Sequence, residues 1–223
     1  MEKYPKINII YEDNHLLVVE KPINIPVQED STKDIDLLSI LKNYLKEKYN
    51  KPGNVYLGLI HRLDRPVGGI MVFAKTSKSA SRLSKSITTN EFHKTYYAVT
   101  TGNLKKEDKL VDYLKKDSKT NTSYVTTSKE GKLSILTYNL IDKKENLNLV
   151  KINLLTGRSH QIRVQFASRN NPLVGDQKYN PKEKSNTQIA LFAQSITFPH
   201  PITKEQLTYT LPLPNRYPFN IFK

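Results

Sequence analysis

Short apolar runs of strand length recur along this chain, at 7–11, 16–19 and 70–74 among others, and Gly and Pro fall between them. Such punctuation builds a sheet, so helices are expected only where the apolar spacing changes. The first two runs, 7–11 and 15–20, are separated by Glu12-Asp13-Asn14 and read as a β-hairpin ending at Lys21-Pro22. Across 36–49, Leu37, Leu38, Leu41, Tyr44, Leu45 and Tyr49 recur at helical spacing with Lys and Glu on the other face, which predicts a core-packing helix. Lys51-Pro52-Gly53 stops it. Strands are then expected at 55–60 and 69–75, flanking His61-Arg62-Leu63-Asp64-Arg65-Pro66. That hexapeptide must be a loop, because Pro66 cannot serve a central ladder.

Thr76 or Ser77 caps an expected helix to about residue 89, and 93–101, rich in Tyr, Val and Thr, suits a strand. The lysine-heavy stretch 105–119 declares no shape. Segments 123–127, 132–141 and 147–155 read as successive antiparallel strands. Ser159 is expected to cap a helix carrying His160, Ile162, Arg163 and Phe166 to about residue 169, with closing strands at 173–175, 189–198 and 207–211. The expected fold class is α+β, a mixed and mainly antiparallel sheet flanked by a few helices, in one domain over 1–223 without repeat or linker.

No cysteine is present, which excludes disulfides, thiolate metal sites and a cysteine nucleophile together. No apolar stretch approaches the roughly 18 residues that span a bilayer, and the Met1-Glu2-Lys3 opening is unlike a signal segment, so a cytoplasmic protein is expected. The formal charge of +14 attracts a polyanion and makes nucleic acid the leading partner, although a lysine-rich composition alone carries the same charge. The arginines say more. There are seven, and Arg62, Arg65, Arg158, Arg163 and Arg169 fall in two short segments, where a planar fork supplies geometry that Lys lacks.

By position alone, Asp64 reads first as a turn-capping carboxylate paired with a neighbouring Arg, and only second as a nucleophile held ionised by Arg62 and Arg65. Its surroundings decide. The run Gly58-Leu59-Ile60-His61-Arg62-Leu63-Asp64-Arg65-Pro66-Val67-Gly68-Gly69 resembles the active-site motif of RluA-type RNA pseudouridine synthases. Lys94-Thr95-Tyr96-Tyr97-Ala98-Val99 is similar to that family's Lys-x-Tyr-x-Ala-x-Val strand. Gly157-Arg158-Ser159-His160-Gln161-Ile162-Arg163 and Pro172-Leu173-Val174-Gly175-Asp176-Gln177-Lys178-Tyr179 follow in the family's order, and the opening hairpin through Lys21-Pro22 also resembles it. Four ordered motifs at preserved spacing, from about residue 7 to 213, far exceed a lone pattern. One departure stands out: Val67-Gly68 replaces the usual Thr-Ser, which implies altered loop packing. The separate N-terminal RNA-binding domain of many relatives is expected to be absent.

The resemblance implies a pseudouridine synthase fold with an active-site cleft across the sheet. It implies Asp64 as nucleophile, Arg163 pairing with its carboxylate, and Tyr96 against the target uracil, with no metal or other cofactor. The chemistry agrees: a carboxylate can attack the ribose anomeric carbon or ring carbon 6, or take a sugar proton, and these routes stay open. The base must first leave its stack, and Arg62 is the expected filler of the gap. His61 is expected to stabilise the loop by hydrogen bonding. Tyr97, on the opposite face of its strand, is the better core residue. Between Arg62 and Lys94 lie seven basic and two acidic residues, with Lys78, Arg82 and Lys85 at helical spacing. With His61, Arg62, Arg65, Lys94, Arg158 and His160, they form the expected contact surface for RNA, either large-subunit ribosomal RNA or tRNA, bound by a monomer without a protein partner. The rival reading is a non-catalytic RNA-binding or ribosome-assembly protein of the same fold. A methyltransferase lacks its Gly-rich loop here, and a glycosidase its second carboxylate.

Overall fold

The hairpin expected at the start forms between β1 (Asn8–Glu12) and β2 (Leu16–Lys21), in a computed structural model that describes residues 5–180, 182 and 186–223. Met1-Glu2-Lys3 lies outside those residues. Helix α1 (Leu37–Lys48) starts where the spacing changes, with Asp36 Oδ1 accepting the Ser39 N–H at 3.0 Å. Strand β3 shrinks to Gly58–Leu59, β4 runs Gly68–Ala74, and α2 (Ser77–Thr88) is capped by Thr76. Next come β5 (His93–Thr101), β6 (Glu107–Asp117), β7 (Thr122–Thr126), β8 (Lys132–Lys144), β9 (Leu147–Leu154), α3 (Gln161–Ala167), β10 (Leu191–Pro199) and β11 (Gln206–Thr210).

Two expectations need correction. Residues 173–175 form no strand: Leu173 makes one isolated bridge to Thr100, and Gly175 turns the chain at φ +73°, where a Cβ would lie 2.5 Å from the Thr187 carbonyl oxygen. Nor does Ser159 cap α3. His160 takes the N-cap position in the left-handed region (φ 53°) without a side-chain capping bond, and the helix stops at Ala167.

The chain divides into two compact units, Met1–His93 with Ser195–Leu211, and Lys94–Gln194 with Pro212–Lys223. In the first, β2 pairs with β1 and β4, β3 adds to β4, and the end of β10 pairs with β11, all antiparallel. Leu16 to Val19 and Ile70 to Ala74 are all fully buried. Successive strand residues point to opposite faces, so β2 and β4 are covered on both, which is why they read as unbroken apolar runs.

In the second unit the strand order is β5-β9-β8-β6-β7, again antiparallel. Strand β8 buries Ser134, Leu136 and Tyr138 and exposes Leu133 and Ile141, the alternation of a sheet covered on one face. Helix α3 lies against β6 and β7, with Phe166 on Tyr138 at 5.3 Å. Strand β6 escaped the sequence reading because Leu110 and Leu114 are its only fully buried apolar residues and Asp112 lies between them on the same face. That carboxylate is consumed by Gln165 Nε2 at 2.7 Å and by Arg169. Among the described residues, no helix is long and apolar enough to cross a membrane.

Two charged groups fasten the first unit. Lys21 is 1% exposed, and its ammonium donates to the carbonyls of Pro22 (2.8 Å), Arg65 (3.0 Å) and Val67 (2.7 Å). Burial pushes its pKa down to about 7, and the charge of nearby Asp64 opposes that shift. Three carbonyls, one per ammonium proton, thus hold the loop before β4 to the end of β2. Glu12 is the second fastener. It accepts from Tyr44 (2.8 Å), Lys48 (2.7 Å), Tyr49 (2.6 Å) and Lys75 (2.8 Å). Burial raises its pKa, but these donors outweigh it and hold the carboxyl at about 2.

Lys21→Met leaves three carbonyls, two of them in the loop, without their donor and is expected to lower unfolding stability by about 2–4 kcal/mol in urea titrations. Loss of under about 0.5 kcal/mol would show the loop to be held by other means. For Glu12, a folded pKa of about 2 against an ordinary 4.5 means that its stabilisation is full above pH 4.5 and fades as pH falls through 2. The stability gap between wild type and Glu12→Gln should therefore narrow over that window; a gap constant down to pH 2 would contradict the ion-pair account.

Candidate active site

In the first unit, the loop between β3 and β4 is closed by the Val67 N–H donating to the Asp64 carbonyl at 2.9 Å, and pinned by the buried side chains of Leu63 and Val67. Asp64 itself is half-buried. His61 Nε2 accepts the Val72 N–H at 3.2 Å, and its ring rests on Phe92 at 5.5 Å, which ties the start of the loop to β4. Arg62 is exposed and makes no hydrogen bond or ion pair among the described residues. Arg65 turns to the chain before α1, bonding the Asn24 carbonyl (3.2 Å), Thr32 Oγ1 (3.0 Å) and Asp34. The two arginines beside Asp64 therefore differ, one secured and one open.

The Val67-Gly68 departure has a packing account. Val67 is 1% exposed, and a Cβ on Gly68 would lie 3.0 Å from Ile23 Cγ2 and 3.2 Å from the Lys21 carbonyl oxygen. Ile23 occupies the room a serine would need. On α2, Lys78 and Lys85 are exposed, whereas Arg82 Nη1 donates to the Pro201 carbonyl at 2.8 Å.

In the second unit, Arg163 is 5% exposed and forms a bidentate pair with Asp176, Nε to Oδ2 at 2.8 Å and Nη2 to Oδ1 at 2.7 Å. Asp176 Oδ1 also accepts the N–H groups of Lys178 and Tyr179, each at 3.2 Å. The guanidinium lies 5.0 Å over the Tyr179 ring. Tyr179 Oη accepts the Ser123 N–H at 2.7 Å and is 2.6 Å from His160 Nδ1. Asp176 and Tyr179 thus organise Arg163 and His160, yet the sequence reading gave neither a role. The signal was present, since both lie in the motif that begins at Pro172.

Gln161 and Gln165 were also missed. Gln161 Oε1 accepts from Thr156 Oγ1 (2.9 Å) and the Arg158 N–H (3.0 Å), and its Nε2 donates to the Ile135 carbonyl and to Gln165 Oε1, both at 3.1 Å. Gln165 and Arg169 continue the line to Asp112. Gln161 and Gln165 share one helix face and Arg169 extends their line just past its end, so this polar stripe fixes the rotation of a seven-residue helix that could not hold itself. Two polar side chains among apolar ones on a buried helical stripe were the available clue. Arg158 is exposed, with Nε on the Leu133 carbonyl at 3.0 Å.

On β5, Tyr96 is 6% exposed and Tyr97 is half-buried, so the preference for Tyr97 as the core residue is reversed. Tyr96 shares its face with buried Ala98 and Thr100, and this is the more deeply covered side of the strand. Lys94 lies on that same face, half-buried, and burial lowers its pKa.

A family model described as RNA pseudouridylate synthase matches residues 15–168. The chain is 34% identical over 217 residues to ribosomal large subunit pseudouridine synthase C of Buchnera aphidicola, covering 92% of this chain and 66% of that protein. It is 31% identical over 223 residues to ribosomal large subunit pseudouridine synthase D of Yersinia pestis, covering 93% and 67%. The chain thus spans about two thirds of the length of these curated relatives. Among solved structures, human RNA pseudouridylate synthase domain containing 4 superposes with a TM-score of 0.77 at 20% identity, over 93% of this chain and 88% of that one. The fold is therefore that of the pseudouridine synthases, mixed α and β with a large, mostly antiparallel sheet and few helices. With four motifs in order and the family model covering most of its length, this chain belongs to the RNA pseudouridylate synthase family.

Proposed function

We propose that the chain isomerises uridine to pseudouridine in structured RNA, with Asp64 as the nucleophile and Tyr96 and Arg163 as its catalytic partners. The observation that carries this reading is the loop of Asp64, a half-buried carboxylate on a backbone anchored through Lys21, with the open side chain of Arg62 beside it. A nucleophile must be held still while the base departs and returns, and a loop tied to a buried ammonium meets that need.

The reaction breaks the bond from ribose carbon 1′ to uracil nitrogen 1, turns the base, and forms a bond from carbon 1′ to carbon 5. The proton on carbon 5 leaves and nitrogen 1 gains one, so atoms and oxidation state balance without a co-reactant. Asp64 attacks the sugar or the ring, or takes a sugar proton. Tyr96 offers a face to the uracil and a hydroxyl for the carbon 5 proton, and Arg163, kept flat by Asp176 and Tyr179, supplies fixed positive charge. Arg62 fills the stack vacated by the uridine, and Lys78, Lys85, Lys94 and Arg158 meet phosphates, while His61, Arg65, Arg82 and His160 shape the surface around them. The names of the relatives make large-subunit ribosomal RNA the first substrate to test, and the family resemblance makes tRNA the second. In this reading both units work as one catalytic domain, in a cytoplasmic monomer.

Asp64→Asn is expected to cut tritium release from uridine labelled at carbon 5 by at least about 10³-fold while RNA affinity stays within about threefold. Turnover near wild type would remove Asp64 from its role, and RNA binding by wild type without any turnover would favour a binding protein. Affinity for RNA should also fall by at least about 100-fold between roughly 50 and 200 mM salt, as counterions displaced by phosphate contacts require. A flat response would make the +14 charge incidental.

A further inference from the structure

Lys94 and Tyr96 stand two residues apart on β5, so their side chains leave the strand on one face, about 7 Å apart along it. Unlike the ammonium of Lys21, that of Lys94 has no hydrogen bond or ion pair among the described residues, although the residue is half-buried. A partly desolvated ammonium without a partner is costly, and such groups persist where something outside the chain completes them.

Gly157 supplies the second observation. Its φ lies outside the left-handed region, so backbone freedom does not explain a glycine there. A Cβ at this position would meet one group alone, Lys94 Nζ, at 3.2 Å. The missing side chain leaves the ammonium uncovered, and the exposed backbone of Gly157 permits close approach. Ser159, two residues on, adds a hydroxyl that makes no hydrogen bond among the described residues. Arg158 between them is tethered through Nε to the Leu133 carbonyl, whereas the Lys94 ammonium makes no such bond among the described residues and is the wholly open charge of this cluster.

We propose that Lys94 and the uncovered backbone at Gly157 seat one phosphodiester of the RNA, next to the uridine whose base lies against Tyr96. This rests on the pseudouridine synthase reading and narrows it to a single contact. A nucleotide's base and phosphate are separated by its ribose, and the spacing of Tyr96 and Lys94 along β5 matches that separation. A point charge on a flexible stem suits a phosphate that is held but not read.

The test uses the full chain and fluorescein-labelled heptauridylate, with affinity followed by anisotropy across a salt series. Lys94→Met is expected to weaken binding about tenfold and to reduce the salt slope by about 1. Gly157→Ala changes no charge, yet covering the ammonium is expected to weaken binding to a similar degree at low salt. In a Lys94→Met background the Gly157→Ala change should then cost nothing further. Lys105→Met, which removes an exposed lysine paired with Asp108, serves as the charge control and is expected to bind as wild type. Wild-type affinity in either single variant, an unchanged slope in Lys94→Met, or additive losses in the double variant would overturn the shared seat. Should Lys94→Met fail to fold, as judged by circular dichroism, Gly157→Ala and Lys94→Arg carry the comparison. Absence of tritium release by wild type from labelled ribosomal and transfer RNA transcripts would instead end the isomerase reading and leave the binding result standing.

Discussion

A charge taken into an apolar interior must meet dipoles or a counter-charge, and the Lys21 ammonium meets three carbonyl oxygens, two of them in the loop of Asp64. The positions of His61, Arg62 and Asp64 follow from that attachment. An ammonium has three protons in tetrahedral array, so it can fasten three separate backbone points where a hydroxyl would manage one donation. The same group lies close enough to Asp64 for each to feel the other's charge. Holding the loop and shaping its field are thus done by one side chain at the end of β2.

The second unit solves a different problem. Helix α3 is seven residues long, too short to be stable on propensity, and it carries Arg163. Two sets of polar contacts hold it. Gln161, Gln165 and Arg169 bind one side to β8 and to Asp112 of β6, and Arg163 reaches Asp176 beyond the helix. The buried Arg163–Asp176 pair is offset against desolvation by its two parallel bonds, by further N–H donors on the carboxylate, and by the Tyr179 ring. Such a pair contributes geometry more than stability.

The basic residues divide into two populations. Arg65, Arg82 and Arg169 spend their forks on chain carbonyls or carboxylates, whereas Arg62, Lys78, Lys85 and Lys94 stay open among the described residues. Net charge sets the long-range field that draws a polyanion, but only the open groups remain for short-range contact.

The covered strands, the helices α1 and α2, and the Asp64 loop were legible in the sequence, because they rest on local physics: unbroken apolar runs, helical spacing, capping side chains and a proline that bars a ladder. Strand β6 was illegible, since an aspartate on its inner face has its partners in Gln165 of α3 and Arg169 just beyond it, more than 50 residues away. The family resemblance, carried by short motifs, named Asp64, Tyr96 and Arg163. It could not say that Lys21 is buried, that Asp176 takes the Arg163 fork, that Arg65 turns from Asp64 toward Asp34, or that Gly157 leaves Lys94 uncovered. Those facts are long-range. A side chain's choice of partner depends on which distant segments the fold brings within about 3 Å of it, and spacing along one chain does not encode that distance.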